Sequence, residues 1–289
     1  MSQAASLEEL LPGVFILYSP FVFSKRGLII DESGSTLIDT SVSLMETKMM
    51  FDKADEAGYP VRRMVLTHAH FDHTVGCQLL PDGERIAQKG TTDWMLSDYA
   101  ADYLAIEPPE HLDMHRFEIT PPTVEIDGSA VVHLASRTLE MFPTPGHSPE
   151  SMSVLLQPDG LLFTGDAVVT SFPPVIGDGD SQQTIESLEM ILTLDFERLI
   201  PGHGDLLDYE AAQAHCRQSI DYLREVRRQI DLIHEPSYPL EEIQQALADL
   251  TSVFPPTMPI IDDMHRSVVN KVWDERRREI MGQSRRQVR

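Results

Sequence analysis

Residues 62–77 read RRMVLTHAHFDHTVGC. A short apolar run, Met64 to Leu66, delivers His68, His70, Asp72 and His73 within six residues. The chain holds only 11 histidines in 289 residues, so this local density needs a cause. On an extended or turning segment, residues i and i+2 share a side. His68 and His70 can therefore face one cation while Ala69 points away, and Asp72 and His73 can face a second. A lone H-x-H would mean little, because histidines at strand ends are commonly just solvated. Four ligand-type residues in H-x-H-x-D-H spacing are a far more specific signal.

The flanking sequence reads as layered α/β. VFILYS and RGLIIDESGSTLIDTS are β-branched and apolar runs, the second broken at a Glu-Ser-Gly turn. Residues 44–57 have helical spacing and stop before Gly58, with Pro60 beyond. VRRMVLT is then a buried strand with the histidine cluster at its C-terminal end. A helix is expected over residues 91–105, followed by a Pro-, His- and Glu-rich connection over residues 106–122 of the kind that walls or covers a pocket. TVEID, AVVHLAS and TLEMFPTPG read as strands, and SMSVLLQ and LLFTGDAVV as a hairpin across Pro158-Asp159-Gly160. Ser181 reads as the N-cap of a helix to about Leu194, and the chain from Asp208 reads as two or three helices. The expectation is one domain over residues 1–289, with a core from about 10 to 207 and a helical extension over 208–289.

If residues 62–77 carry a metal site, partners should stand at other strand ends. TLEMFPTPGHS ends a strand in a Pro-Gly turn presenting His147. LLFTGD ends one at Asp166, after a glycine that permits close backbone approach. RLIPGHG ends one at His203 between two glycines. Each ligand-type residue sits on a rigid element, as a preorganised site requires.

The set His68-Ala-His70-Phe-Asp72-His73, then Thr-Pro-Gly-His147, Gly-Asp166 and Pro-Gly-His203, resembles the metallo-β-lactamase superfamily. These motifs span residues 67–203, and Leu37-Ile38-Asp39-Thr40 resembles that family's early strand with its supporting aspartate. The resemblance implies an αββα sandwich, with two mixed sheets face to face, helices outside and a metal pair at one edge. It implies that His68, His70 and His147 hold metal one, that Asp72, His73 and His203 hold metal two, and that Asp166 bridges them. Asp39 would hydrogen-bond a ligand imidazole. The imidazole and carboxylate set favours two Zn²⁺ ions, with Fe and Mn tolerating the same ligands. Two such cations make a hydroxide at neutral pH that attacks a carbonyl, and Asp72 would orient it and take its proton.

Composition narrows the reaction. Lys+Arg total 23 against Asp+Glu 46, a net charge of −23. That balance opposes nucleic-acid binding and the processing nucleases or phosphodiesterases that share these ligands. The absence of a basic, apolar leader and of any long apolar run points to a cytoplasmic protein without a membrane span, and two cysteines give no disulfide framework. Together with Asp166, the missing leader argues against an exported β-lactamase, and His70 against a flavodiiron protein, which carries glutamate there. The remaining neighbours are glyoxalase II-like and lactonase-like enzymes. The expectation is hydrolysis of a carboxylic ester, thioester or lactone of a small-molecule substrate. An iron-dependent persulfide dioxygenase is the alternative, and a non-enzymatic metal-binding protein a third. The basic and aromatic residues with which glyoxalase II holds glutathione are not recognisable.

Other residues take the plainer reading. His111, His115 and His133 read as solvated, and His215, His234 and His265 sit in helical stretches without partners at ligand spacing. Cys77 reads as a buried thiol, and Met45, Met49, Met50 and Phe51 as core. Met258, Met264 and Trp273 read first as helix packing and second as the wall of an apolar pocket. The basic tail WDERRREIMGQSRRQVR reads as a solvated helix end. A homodimer through residues 106–122 or the C-terminal helices is an open expectation.

Overall fold

Period-2 alternation of apolar residues builds two sheets that share one core. In the computed structural model the described residues are 4–97, 117–170, 172–233, 239–254 and 261–287. Strands β1 (Ser6–Leu11), β2 (Val14–Tyr18), β3 (Lys25–Ile29), β4 (Ser35–Ile38), β5 (Val61–Val65), β6 (Glu84–Gln88) and β7 (Val124–Ile126) lie side by side in chain order. The sheet is antiparallel from β1 to β4 and parallel from β4 to β7. The second sheet runs β13-β12-β11-β10-β9-β8, from β8 (Ala130–His133), β9 (Thr138–Pro143), β10 (Met152–Gln157), β11 (Leu161–Gly165), β12 (Arg198–Pro201) and β13 (Leu207–Asp208). Only the β11–β12 pair is parallel in it.

Alternate residues of each strand serve different layers. Val14, Ile16, Ile29, Ile38 and Val65 of the first sheet meet Leu139, Met141, Val154, Leu156 and Phe163 of the second. Phe15, Leu17, Leu28, Leu37 and Met64 face the other way, onto Met50 and Ala54 of α1 (Leu44–Glu56). The outer face of the second sheet, Leu155, Leu162 and Leu199, is covered by α4 (Ser181–Ile191), α5 (Tyr209–Asp231), α6 (Leu240–Ala246) and α7 (Ile261–Gln287). Two short helices, α2 (Phe71–Thr74) and α3 (Thr91–Met95), lie on the first half of the chain. The arrangement is helix, sheet, sheet, helix, as expected. Each of the fully buried Leu and Ile side chains contributes roughly 1.5–3 kcal/mol relative to exposure.

Several local readings change. β1 starts at Ser6, ahead of the expected core boundary near Leu10. It is an edge strand with a half-buried pattern, and Gly13 at φ +78° makes the tight turn into β2. Asp180, not Ser181, caps α4, because its carboxylate accepts from the amides of Gln182 and Gln183. That helix ends at Ile191. Of the helix expected over residues 91–105, Thr91–Met95 are helical among the described residues; Ser97 donates to the Trp94 carbonyl, and residues 98–105 lie outside the described residues. Most of the 106–122 connection, with His111 and His115, also lies outside them, as do His234 and Met258. Met50 is core but Met45 and Met49 are exposed, since α1 presents only one stripe to the sheet. Trp273 packs in the helical layer, and Cys77 is buried with its thiol pushed up to about 12 by burial. No helix among the described residues is long and apolar enough to cross a membrane.

Candidate metal centre

Five strand ends converge at one rim of the sandwich. β4 leads to Asp39, β5 leads to residues 67–73, β9 leads to His147, β11 ends before Asp166, and β12 leads to His203. The first cluster joins His68, His70, His147 and Asp166, and the second joins Asp72, His73 and His203. Within each, the donor atoms lie inside 4.8 Å of one another. His70 Nδ1 stands 3.1 Å from His68 Nε2 and 2.9 Å from His147 Nε2. Asp72 Oδ2 lies 3.1 Å from His203 Nε2 and 3.4 Å from His73 Nε2. Asp166 stands between the clusters. Its Oδ1 is 3.4 Å from His73 Nε2, and its Oδ2 lies 3.4 Å from His203 Nε2, 3.6 Å from His147 Nε2 and 4.0 Å from His68 Nε2.

Close backbone approach makes this possible. A side chain at Gly202 would place its Cβ 1.9 Å from Asp166 Oδ1, and one at Gly165 (φ +49°) would place it 2.2 Å from Thr67 Oγ1. Larger residues at either position would displace the carboxylate or the strand end.

Asp39 holds both clusters. Its carboxylate accepts from the Thr67 amide (2.7 Å), the Thr67 hydroxyl (2.7 Å) and His73 Nδ1 (2.8 Å). The Thr67 hydroxyl in turn lies 3.1 Å from His68 Nδ1, so one carboxylate orients an imidazole of each cluster. Asp39 takes φ +59°, a conformation unusual for a non-glycine residue, which these three bonds hold in place. Beneath the H-x-H turn, Glu150 is buried and accepts from the Ala69 amide and the Ser148 hydroxyl.

The residues present suit metal ions. His73 Nε2 and Asp166 Oδ1 are fully buried without a hydrogen-bond partner, and both point into the space between the clusters. Orphaned buried acceptors are costly unless something fills the gap. Imidazole nitrogens converging at about 3 Å also cannot all carry protons, and a cation resolves that crowding.

Electrostatics follow from this crowding. Burial, with the neighbouring imidazoles, pushes His68 well below its usual range and His147 down to about 4. Burial opposes the charge of His203, yet Asp166 and Asp72 overcome it and raise that imidazole to about 9. Burial likewise opposes ionisation of Asp72 and Asp166, but the adjoining imidazoles hold both carboxyls well below the usual carboxylate range.

These opposite shifts make a pH prediction for protein stripped of metal. His147 lies at about 4 when folded against 6.5 unfolded, so the unfolded chain binds more protons between those values and stability rises with pH there. His203, at about 9 against 6.5, makes the folded chain bind more protons, so its contribution is complete below 6.5 and is lost as pH climbs to 9. Stability of the stripped protein is expected to peak near pH 6.5 and fall on the alkaline side, with His203 alone contributing on the order of 3 kcal/mol. His73 adds to the fall: against burial and Arg26, the carboxylates of Asp72, Asp166 and Asp39 raise it well above its usual range. Urea midpoints across pH 4–9 measure it, and a profile rising steadily to pH 9 would refute the His203 assignment.

Residues 26–203 match the family model described as the metallo-beta-lactamase superfamily. The chain belongs to that superfamily. It is 28% identical over 183 residues to an atrochrysone carboxyl ACP thioesterase of Aspergillus fumigatus, covering 63% of this chain and 50% of the relative. It is 24% identical over 205 residues to a hydroxyacylglutathione hydrolase of Maricaulis maris, covering 70% and 69%. The chain thus spans about half the length of the fungal relative. Among solved structures, the sec-alkylsulfatase Pisa1 of Pseudomonas sp. superposes with a TM-score of 0.70 at 16% identity, covering 94% of this chain and 50% of that one. At that identity the likeness concerns the fold alone. In this superfamily member the His/Asp clusters imply metal ions.

The structure brings together every residue singled out from sequence for the site. It adds Glu150 beneath the H-x-H turn and three groups that meet the ligand side chains themselves. Asp178 accepts from His70 Nε2 at 2.9 Å, the Val175 carbonyl accepts from His147 Nδ1 at 2.7 Å, and Arg26 reaches Asp72 Oδ2 at 3.3 Å. Arg26 had little sequence signal, because it stands beside Lys25 at the polar start of β3. Asp178 had only its place in a Pro/Gly-rich loop, and a backbone carbonyl has none. The remaining described histidines keep their plainer roles: His133 is exposed, His215 Nε2 bonds the Val169 carbonyl, and His265 Nδ1 bonds the Tyr222 hydroxyl.

A cleft of about 370 Å³ opens over the clusters. Phe21, Phe71, Phe172, Val175 and Met264 wall it, while Asp72, Asp166, Asp178 and three of the histidines form its floor. Its described lining contains no Lys or Arg. Met264 comes from α7, so the C-terminal extension does reach the pocket, as the second reading of that residue supposed.

Proposed function

We propose that this superfamily member is a dinuclear metal-dependent hydrolase cleaving a carboxylic ester, thioester or lactone, with an acyl thioester the first substrate class to test. One observation carries the reading: two donor clusters with Asp166 between them lie beneath an apolar-walled cleft with no Lys or Arg in its described lining. Such a cleft suits an uncharged carbonyl with an apolar acyl group. A phosphodiester or sulfate ester would meet the bound metals, but beyond them the described walls offer no Lys or Arg to hold the rest of an anionic substrate. The names of the thioesterase and acylglutathione hydrolase relatives agree with acyl chemistry.

His68, His70 and His147 would hold one metal, Asp72, His73 and His203 the other, and Asp166 both. Zinc suits this donor set best. A bound pair supplies a nucleophile from water at neutral pH and a Lewis acid for the carbonyl. The chain's own groups do the rest. Asp72, partly facing the cleft, would orient the attacking water and take up its proton. Asp39 and Thr67 keep His73 and His68 in the tautomers that turn Nε2 inward. Phe21, Phe71 and Phe172 exclude bulk water from the acyl side.

The test is a panel of acyl thioesters, aryl esters and lactones offered to zinc-, iron- and manganese-loaded protein, with phosphodiesters and a persulfide beside them. Turnover confined to carboxylic acyl bonds supports the reading. Oxygen consumption with persulfide on the iron form, with no acyl hydrolysis, would replace it with a sulfur dioxygenase.

A further inference from the structure

Two of the three imidazoles in the first cluster are steered from one loop, residues 172–180. The Val175 carbonyl accepts from His147 Nδ1 at 2.7 Å, and the Asp178 carboxylate accepts from His70 Nε2 at 2.9 Å. His70 is the imidazole whose Nδ1, not Nε2, turns inward toward His68 and His147. A free imidazole favours neither orientation strongly, so a proton acceptor at Nε2 is what selects the tautomer with an available Nδ1 lone pair.

The loop is fastened from two sides. The Asp180 amide donates to the Gly146 carbonyl at 2.9 Å, tying the loop to the turn that carries His147. On the other side stands the C-terminal helix, well beyond residue 203, where the family match ends. Lys271 Nζ of α7 donates to the Gly177 carbonyl at 3.1 Å, beside Asp178. The buried Glu275 accepts from the Ser181 amide at 3.1 Å and from the Ser181 hydroxyl, and Arg227 of α5 donates to that hydroxyl. Apolar contact completes the clamp, with Ile261 and Met264 of α7 packed on Val169, Phe172 and Val175.

We propose that Asp178 is a positioning residue that presents His70 Nδ1 to the first metal, and that α7, through Glu275 and Lys271, holds the 172–180 loop so that the C-terminal extension sets the affinity of that cluster. The proposal rests on the first cluster being a metal site. Asp178 acts through the His70 imidazole rather than on a metal directly.

The test is zinc binding by the full-length chain, followed by chelator competition without substrate. Asp178→Ala is expected to weaken the tighter-defined first site about 10–100-fold and leave the second site unchanged. Asp178→Asn retains an acceptor oxygen for the His70 Nε2 proton and is expected to recover most of the loss. The proton itself gives an independent reading: a downfield Nε2–H resonance of His70, protected from exchange in wild type and Asp178→Asn, disappears in Asp178→Ala. Glu275→Ala is expected to weaken the first site about threefold or more while Asp178 is intact. Urea midpoints of the metal-free proteins separate these effects from general loss of fold. Wild-type affinity in Asp178→Ala overturns the positioning role, and wild-type affinity in Glu275→Ala overturns the role of the helix. A wild-type chain that binds no zinc instead overturns the reading of the clusters as metal sites.

Discussion

Asp166→Ala is expected to lower acyl hydrolysis on the order of a thousandfold, about 4 kcal/mol of transition-state stabilisation. The carboxylate lies within 4.0 Å of imidazole nitrogens from both clusters, and its buried Oδ1 has no other partner. On the proposed two-metal reading, deleting it would remove a donor from each metal and a negative charge that offsets two cations. Metal content should fall from about two ions per chain toward one or fewer, because a shared donor also holds the ions at their spacing. Asp166→Asn keeps the shape and one neutral oxygen, and should lie between. Elemental analysis together with kcat/KM on the best acyl substrate decides the matter. An Asp166→Ala protein retaining two ions and full activity would remove the bridge from the account.

Arg26→Met is expected to cost about 3–5 kcal/mol of folding stability, the scale for breaking a buried ion pair by removing one partner. Arg26 is 1% exposed, and its guanidinium donates to the carbonyls of Lys25, Thr40, Gly202 and Asp72. It also lies 3.3 Å from Asp72 Oδ2. Those contacts join the ends of β3, β4, β5 and β12, the strand ends that carry much of the site. Methionine fills the volume but leaves the four carbonyls and one carboxylate short of a donor. Arg26→Lys restores the charge at a single point that cannot span the fan of acceptors, and should recover only part of the loss. Urea unfolding of zinc-loaded and stripped protein measures both variants. A penalty below about 1 kcal/mol would show that water replaces the guanidinium at no great cost.

The site was legible because its pieces are local. Each ligand-type residue follows a short apolar strand and sits in or beside a sharp turn, and these signals lie within a few residues of one another. The motif at residues 67–73, the Pro-Gly turns before His147 and His203, and the glycine before Asp166 needed no tertiary knowledge to be found. Asp39 was legible through its place at the end of a recognisable strand. β1 was not, because an edge strand with a half-buried pattern can pass for a polar lead-in. The cap of α4 was placed one residue late because both Asp180 and Ser181 favour that position, and Ser181 is engaged by Glu275, 94 residues away in the chain.

The sequence by itself determined the strand-and-turn grammar, the apolar stripes that bury the sheets, and which side chains could bind a metal. Tertiary structure alone decided that Asp166 falls between the two clusters, that Arg26 is spent on four carbonyls and Asp72, and that Asp178 rather than solvent meets His70. It also decided that α7 reaches back to the rim and contributes Met264 to the cleft. The physical reason is range. Alternation, capping and turn chemistry act over a few residues, whereas the choice of partner for a buried polar group depends on which distant strand ends the packing of the sheets brings within hydrogen-bond reach.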